Sequence, residues 1–218
     1  ETGLLLMSYR LVFEETFAER ADSIKGRYRQ FQYECTVPSR ASVRGGRLVL
    51  DGGHDEGDQR LVVTADAVAG SKVLPERFSV TAKLGGGADG SGGYHVGVSV
   101  GRLKFLFHPG HHRGGFRVED VHTHEYLVPN RQMTFTPAAG VLHEMTIHAS
   151  RDEGSDRLIF DVIVSDGADP GAKYTFRYEC TAKESGKLDR VGLERSGRRG
   201  GAALFDWLLI DLSGKKQN

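Results

Sequence analysis

The feature that most restricts this chain is a two-residue alternation of apolar and polar side chains, repeated in short segments separated by glycine-rich turns. Over 94–100, Tyr94, Val96, Val98 and Val100 fall on one side and His95, Gly97 and Ser99 on the other. Residues 78–84 alternate in the same way, and 173–180 set Tyr174, Phe176 and Tyr178 on one face. Successive side chains of a strand point to opposite faces, so this period marks half-buried strands. Further strand signals fall at 9–13, 47–51, 60–64, 103–107, 116–121, 125–128, 141–149, 158–164, 190–194 and 203–212. Strands 47–51 and 60–64 read as a hairpin across an acidic, turn-rich loop, and 141–149 with 158–164 as another. Residues 20–45 carry no assignable pattern. About a dozen closely spaced strands without an amphipathic helix predict an all-β chain, a two-sheet antiparallel β-sandwich or jelly roll.

A chain of 218 residues can bury about 70% of its unfolded surface, enough for a core without staples. No linker divides it, so residues 4–212 read as one domain and 213–218 as a polar tail. Glu1-Thr2-Gly3 reads as the scar of a secretion vector, with the leader already removed. The expected location is therefore outside the cell, secreted or on the surface. Lys+Arg and Asp+Glu each number 29, a balance that argues against nucleic acid as a partner, which needs a basic surface. No apolar run approaches the roughly 20 residues of a membrane span. The two cysteines, Cys35 and Cys180, sit in the same Tyr-Glu-Cys-Thr tetrapeptide, which leaves both a disulfide and two separate thiols open.

The final strand signal carries one acid, Asp206, inside an apolar run. A carboxylate there needs an arginine, backbone N–H groups or a metal ion. Six of the nine histidines fall between 95 and 124. His122 and His124, two apart on a strand, would share a face and suit Zn²⁺, with a third ligand from His108, His111, Glu119 or Asp120. Loop histidines flanked by Gly and Arg are more often plain surface residues. The acidic loop Asp51, Asp55, Glu56, Asp58 offers another cation position, although most such loops are simply solvated. A sugar site needs aromatic faces and planar polar groups, which Tyr94, His95, His108, His111, Arg117 and Tyr126 would supply if their strands line one concave sheet. Trp207, the single tryptophan, reads as core.

Four stretches resemble the concanavalin A-like lectin/glucanase superfamily, especially its laminin-G-like branches. Residues 11–17 (Leu-Val-Phe-Glu-Glu-Thr-Phe) are similar to its opening strand, and 78–84 to the strand before its central sheet. The segment 143–149 followed by 158–164 is similar to its hairpin, with His143 where tryptophan is usual. Residues 201–206 (Gly-Ala-Ala-Leu-Phe-Asp) are similar to its closing strand. The resemblance implies a jelly roll over 9–212, and a structural Ca²⁺ held by Asp206 with oxygens near Glu14 or Glu15. It also implies a polysaccharide or glycan partner. The glucanases of the superfamily carry Glu-x-Asp-x-x-Glu, and no such motif occurs here. The expected function is a non-catalytic carbohydrate-binding or adhesion module. The alternatives are a hydrolase or lyase using the histidine-rich region, and a structural or protein-interaction module.

Overall fold

The computed structural model describes residues 12–18, 30–34, 41–52, 57–88, 94–110, 115–152, 154–197 and 200–213. The strands along them are β1 (Val12–Glu15), β2 (Phe31–Glu34), β3 (Ala41–Arg44), β4 (Arg47–Gly52), β5 (Gln59–Thr64), β6 (Arg77–Gly86), β7 (His95–Val100) and β8 (Leu103–Phe107). They continue with β9 (Gly115–Asp120), β10 (Tyr126–Gln132), β11 (Leu142–Arg151), β12 (Arg157–Ser165), β13 (Lys173–Thr181), β14 (Arg190–Ser196) and β15 (Gly201–Asp211). Two short helices, α1 (Ala65–Ala69) and α2 (Ala182–Ser185), are each opened by a threonine cap, Thr64 and Thr181.

These strands form the two antiparallel layers that the alternation predicts. One sheet runs β13-β12-β11-β6-β15-β4-β3, with β1 added alongside β15. The other runs β10-β9-β8-β7-β14-β5-β2. The inward-facing positions of both layers make a single core. Met145, Ile147, Val80, Ala82, Phe160, Phe205 and Ile210 meet Val96, Val98, Phe105, Phe107, Phe116 and Leu193. Aromatic contacts tie the layers together: Phe105 lies 5.4 Å from Phe160, and Phe116 lies 5.1 Å from Phe176.

Two expectations change here. The strands at 47–51 and 60–64 are not hairpin partners. β4 pairs with β3 and β15 in one sheet, whereas β5 pairs with β14 and β2 in the other. Their apolar cores, Leu48-Val49-Leu50 and Leu61-Val62-Val63, are buried on both faces, and that property fits either layer. Trp207 is also not a core residue. A bulge in β15 between Phe205 and Trp207 turns both Asp206 and Trp207 to partly exposed positions, and the inward alternation resumes at Leu208. The segment without a sequence pattern contributes β2 and β3. Cys180 is a buried free thiol whose pKa burial pushes up to about 12. Cys35, His111, His112 and residues 53–56 lie outside the described residues.

Candidate functional site

The face of the seven-stranded sheet that points away from the core is polar, and most of it is buried. Because Val96, Val98 and Val100 face inward, His95, Gly97 and Ser99 of β7 face the other way. The same alternation turns Lys104 outward between the core residues Leu103 and Phe105 of β8. It does the same for Arg117 and Glu119 of β9 and for Glu194 and Ser196 of β14. Register sets Ser99 beside Lys104, and Lys104 beside Glu119. Lys104, Glu119 and Glu194 are at most 2% exposed. Charges so deep need partners: Lys104 has Asp58 and Glu119, Glu119 has Arg117 as well, and Glu194 takes the Ser99 hydroxyl.

Lys104 Nζ is in contact with Asp58 Oδ2, and it lies 3.9 Å from Glu119 Oε2 and 3.4 Å from His124 Nδ1. Arg117 closes on the other oxygen of Glu119. Ser196 Oγ lies 2.9 Å from Asp58 Oδ1 and 3.2 Å from Glu119 Oε2, and the Gly197 N–H donates to Asp58 Oδ1 over 3.0 Å. Burial pulls the Asp58 carboxyl upward, but Lys104, Ser196 and Gly197 together outweigh it and hold the group below its usual range. For Glu119 burial wins over Arg117 and Lys104, and its pKa rises.

The turn between β9 and β10 forms the rim. Asp120 Oδ1 accepts the N–H groups of His122 (2.7 Å) and Thr123 (2.8 Å), and Oδ2 meets Arg102 at 2.8 Å. Burial again works upward on Asp120, and these donors overcome it, so its pKa falls. The turn leaves His124 with a positive φ of 58° and its side chain 58% exposed. Tyr126 follows, 61% exposed, with the Arg117 guanidinium 4.8 Å from its ring centroid and Arg117 Nη1 donating to its hydroxyl over 3.4 Å. Together Asp58, Arg117, Glu119, Thr123, His124, Tyr126, Ser196 and the adjoining glycines line an open pocket of about 470 Å³.

Of the residues anticipated for a sugar site, Arg117 and Tyr126 line this pocket. Tyr94 lies in the core, its hydroxyl donating to Ala202 O over 3.2 Å and its ring under Arg195. His95 and His108 are buried together, rings 4.8 Å apart and edge to face, with His108 Nδ1 3.1 Å from Pro109 O. His122 and His124 sit in a turn instead of on a strand, so they do not share a face as a strand pair would.

Asp206, Glu14 and Glu15 do not form one ligand set. Lys83 and Arg47 stand 3.3 and 3.8 Å from the two oxygens of Asp206. Glu15 accepts the Phe17 N–H (2.8 Å) and Gln30 Nε2 (2.9 Å), and Glu14 lies opposite Leu209. These two cations are the charged partners of Asp206. Among the described residues, the group with metal-ligand spacing is Asp58, Glu119 and His124, whose ligand atoms lie within 4.8 Å of one another. Sequence reasoning set His124 and Glu119 among the candidate ligands of one zinc site and Asp58 in a separate acidic loop, and it missed Lys104. The argument applied to Asp206 would have found Lys104, a charge inside the apolar run Leu103-Lys104-Phe105-Leu106-Phe107.

Several solved structures share this architecture. One is the metal-free form of the Emp46p carbohydrate recognition domain, at TM-score 0.57 and 10% identity over 95% of this chain and 97% of that one. Another is the Bauhinia forficata lectin in complex with GalNAc, at TM-score 0.56 and 10% identity over 94% and 100%. The fold is that of the concanavalin A-like lectin/glucanase superfamily. The concanavalin A-like sandwich also matches a bifunctional GH43-CE protein of Bacteroides eggerthii, at TM-score 0.58 and 14% identity, over 93% of this chain but 27% of that one. Identities this low speak for the concanavalin A-like fold alone. Neither a protein-family model nor a curated protein matches the sequence.

Proposed function

We propose that this protein is a non-catalytic carbohydrate-binding module that takes a sugar ring against Tyr126. The observation that carries the reading is an exposed aromatic ring fixed by a guanidinium beside an ionised, partly exposed carboxylate. Sugars are recognised by such pairs, the ring packing on C–H faces and the carboxylate accepting hydroxyl protons. Asp58 supplies the acceptor and Tyr126 the platform, with Thr123 and His124 adding polar groups at the rim. The neighbours of the fold support the reading, since they include a carbohydrate recognition domain and lectins solved with galactose and GalNAc. An extracellular place, secreted or on the cell surface, belongs to the same proposal.

A glycan array followed by calorimetry on the best ligand tests it. Tyr126→Ala is expected to weaken binding at least tenfold, whereas Tyr126→Phe retains most of it. An array without ligands, or a ligand indifferent to Tyr126→Ala, overturns the reading. One observation favours a second reading, glycoside hydrolysis: Asp58 and Glu119 share a pocket and have pKa values moved in opposite directions. Reducing-end release from a polysaccharide panel, abolished by Glu119→Gln, would establish it. The engagement of both carboxylates by Lys104 and Arg117 weighs against it.

A further inference from the structure

We infer that Lys104 is the resident cation of the pocket, its ammonium standing where Asp58, Glu119 and His124 would otherwise hold a divalent metal, so that the site keeps its shape without one. Three observations carry this. The first is position. The three ligand atoms lie within 4.8 Å of one another, and Nζ is already against Asp58 Oδ2, 3.4 Å from His124 Nδ1 and 3.9 Å from Glu119 Oε2. A metal bonds such atoms at about 2.0–2.6 Å. An ion touching all three would occupy the space that the ammonium fills.

The second is confinement. The Lys104 side chain is 1% exposed and rises from the middle of β8, between Leu103 and Phe105, both fully buried. Moving it into water to admit an ion would break its contacts with Asp58 and His124 and its ion pair with Glu119. The third is charge. Lys104 and Arg117 face Asp58 and Glu119, two cations against two carboxylates. A further divalent charge would leave the cluster with excess positive charge beside the buried Lys104 and Arg117. The ammonium's hydrogen-bond partners are Asp58 Oδ2 and His124 Nδ1, with Glu119 as an ion-pair partner at 3.9 Å.

The inference concerns the same pocket as the carbohydrate reading but stands without it, and its test needs no sugar. Protein stripped with chelator is titrated with Mn²⁺, and binding is read by electron paramagnetic resonance of the free ion. Wild type is expected to bind no Mn²⁺ that Asp58→Asn removes. Lys104→Ala is expected to gain one site at least tenfold tighter than any in wild type, and Lys104→Ala with Asp58→Asn to lose it again. A stoichiometric, Asp58-dependent Mn²⁺ site in wild type overturns the inference, as does a folded Lys104→Ala variant that gains none. Should Lys104→Ala fail to fold, thermal unfolding of wild type decides. A ligand bound only to the native state raises Tm. An unchanged Tm in chelator and in millimolar Mn²⁺ upholds the inference. A rise in Mn²⁺ that Asp58→Asn cancels overturns it.

Discussion

Glu194 is a carboxyl shut away from water beneath the polar face, and its chemistry follows from that. It is 0% exposed, its Oε1 takes the Ser99 hydroxyl at 2.5 Å, and its Oε2 is buried without a hydrogen-bond partner. Burial raises its pKa above the usual glutamate range, against the pull of Lys104 and Arg60. The protonated form is therefore favoured on folding. A raised folded value means that the native state binds the extra proton, so the stability it contributes is complete at low pH and declines as pH rises toward the folded value. Glu194→Gln keeps the shape and removes the proton requirement. It is expected to melt a few degrees above wild type at pH 8 and within about 1 °C of it near pH 4, on a scale of about 2–4 °C per kcal/mol for a chain of this size. Melting curves at both pH values check this, and an equal shift at both would show that packing, not ionisation, sets the difference.

At the scale of elements, the turn between β9 and β10 is organised by one side chain. Asp120 holds two backbone N–H groups and Arg102, and thereby sets the entry of His124 and Tyr126 into the rim. Asp120→Ala removes charge-assisted hydrogen bonds worth about 1.5–3 kcal/mol, about 3–12 °C in Tm for this chain. Faster amide exchange at 122–124 should accompany the loss. Because the folded pKa of Asp120 is lowered, its contribution is present above the ordinary value of 3.8 and fades as pH falls through the folded one. The deficit of Asp120→Ala should therefore shrink below about pH 4, which melts in acid would show. Elements were legible in the sequence wherever alternation was clean, as in β6, β7 and β13. Sheet membership was not, because β4 and β5 are apolar on both faces and adjacency in sequence favours a hairpin. The site was legible only in part. Arg117 and Tyr126 stand out as an aromatic and a planar cation. The meeting of residues 58, 104, 119, 124 and 196 depends on strand order in the sheet, which local periodicity does not encode.

Considered as a whole, the molecule has two layers but one core, and this bears on how it unfolds. The buried apolar residues of both sheets form a single contiguous cluster, with Phe105 from one layer lying 5.4 Å from Phe160 and 6.4 Å from Tyr178 of the other. Neither sheet can leave without exposing the inner face of its neighbour, so the layers should be lost together. Trp207 offers a local probe of this, since it sits partly exposed on β15 in the eight-stranded sheet, while far-ultraviolet circular dichroism reports on both sheets. Their urea transitions are expected to coincide. Phe105→Ala, a truncation on the seven-stranded sheet, is expected to lower both by the same amount, about 3–5 kcal/mol, without changing the slope. A fluorescence transition that stays in place while the circular dichroism splits into two steps would mean that the sheets stand independently, and the single core would not be the unit of stability.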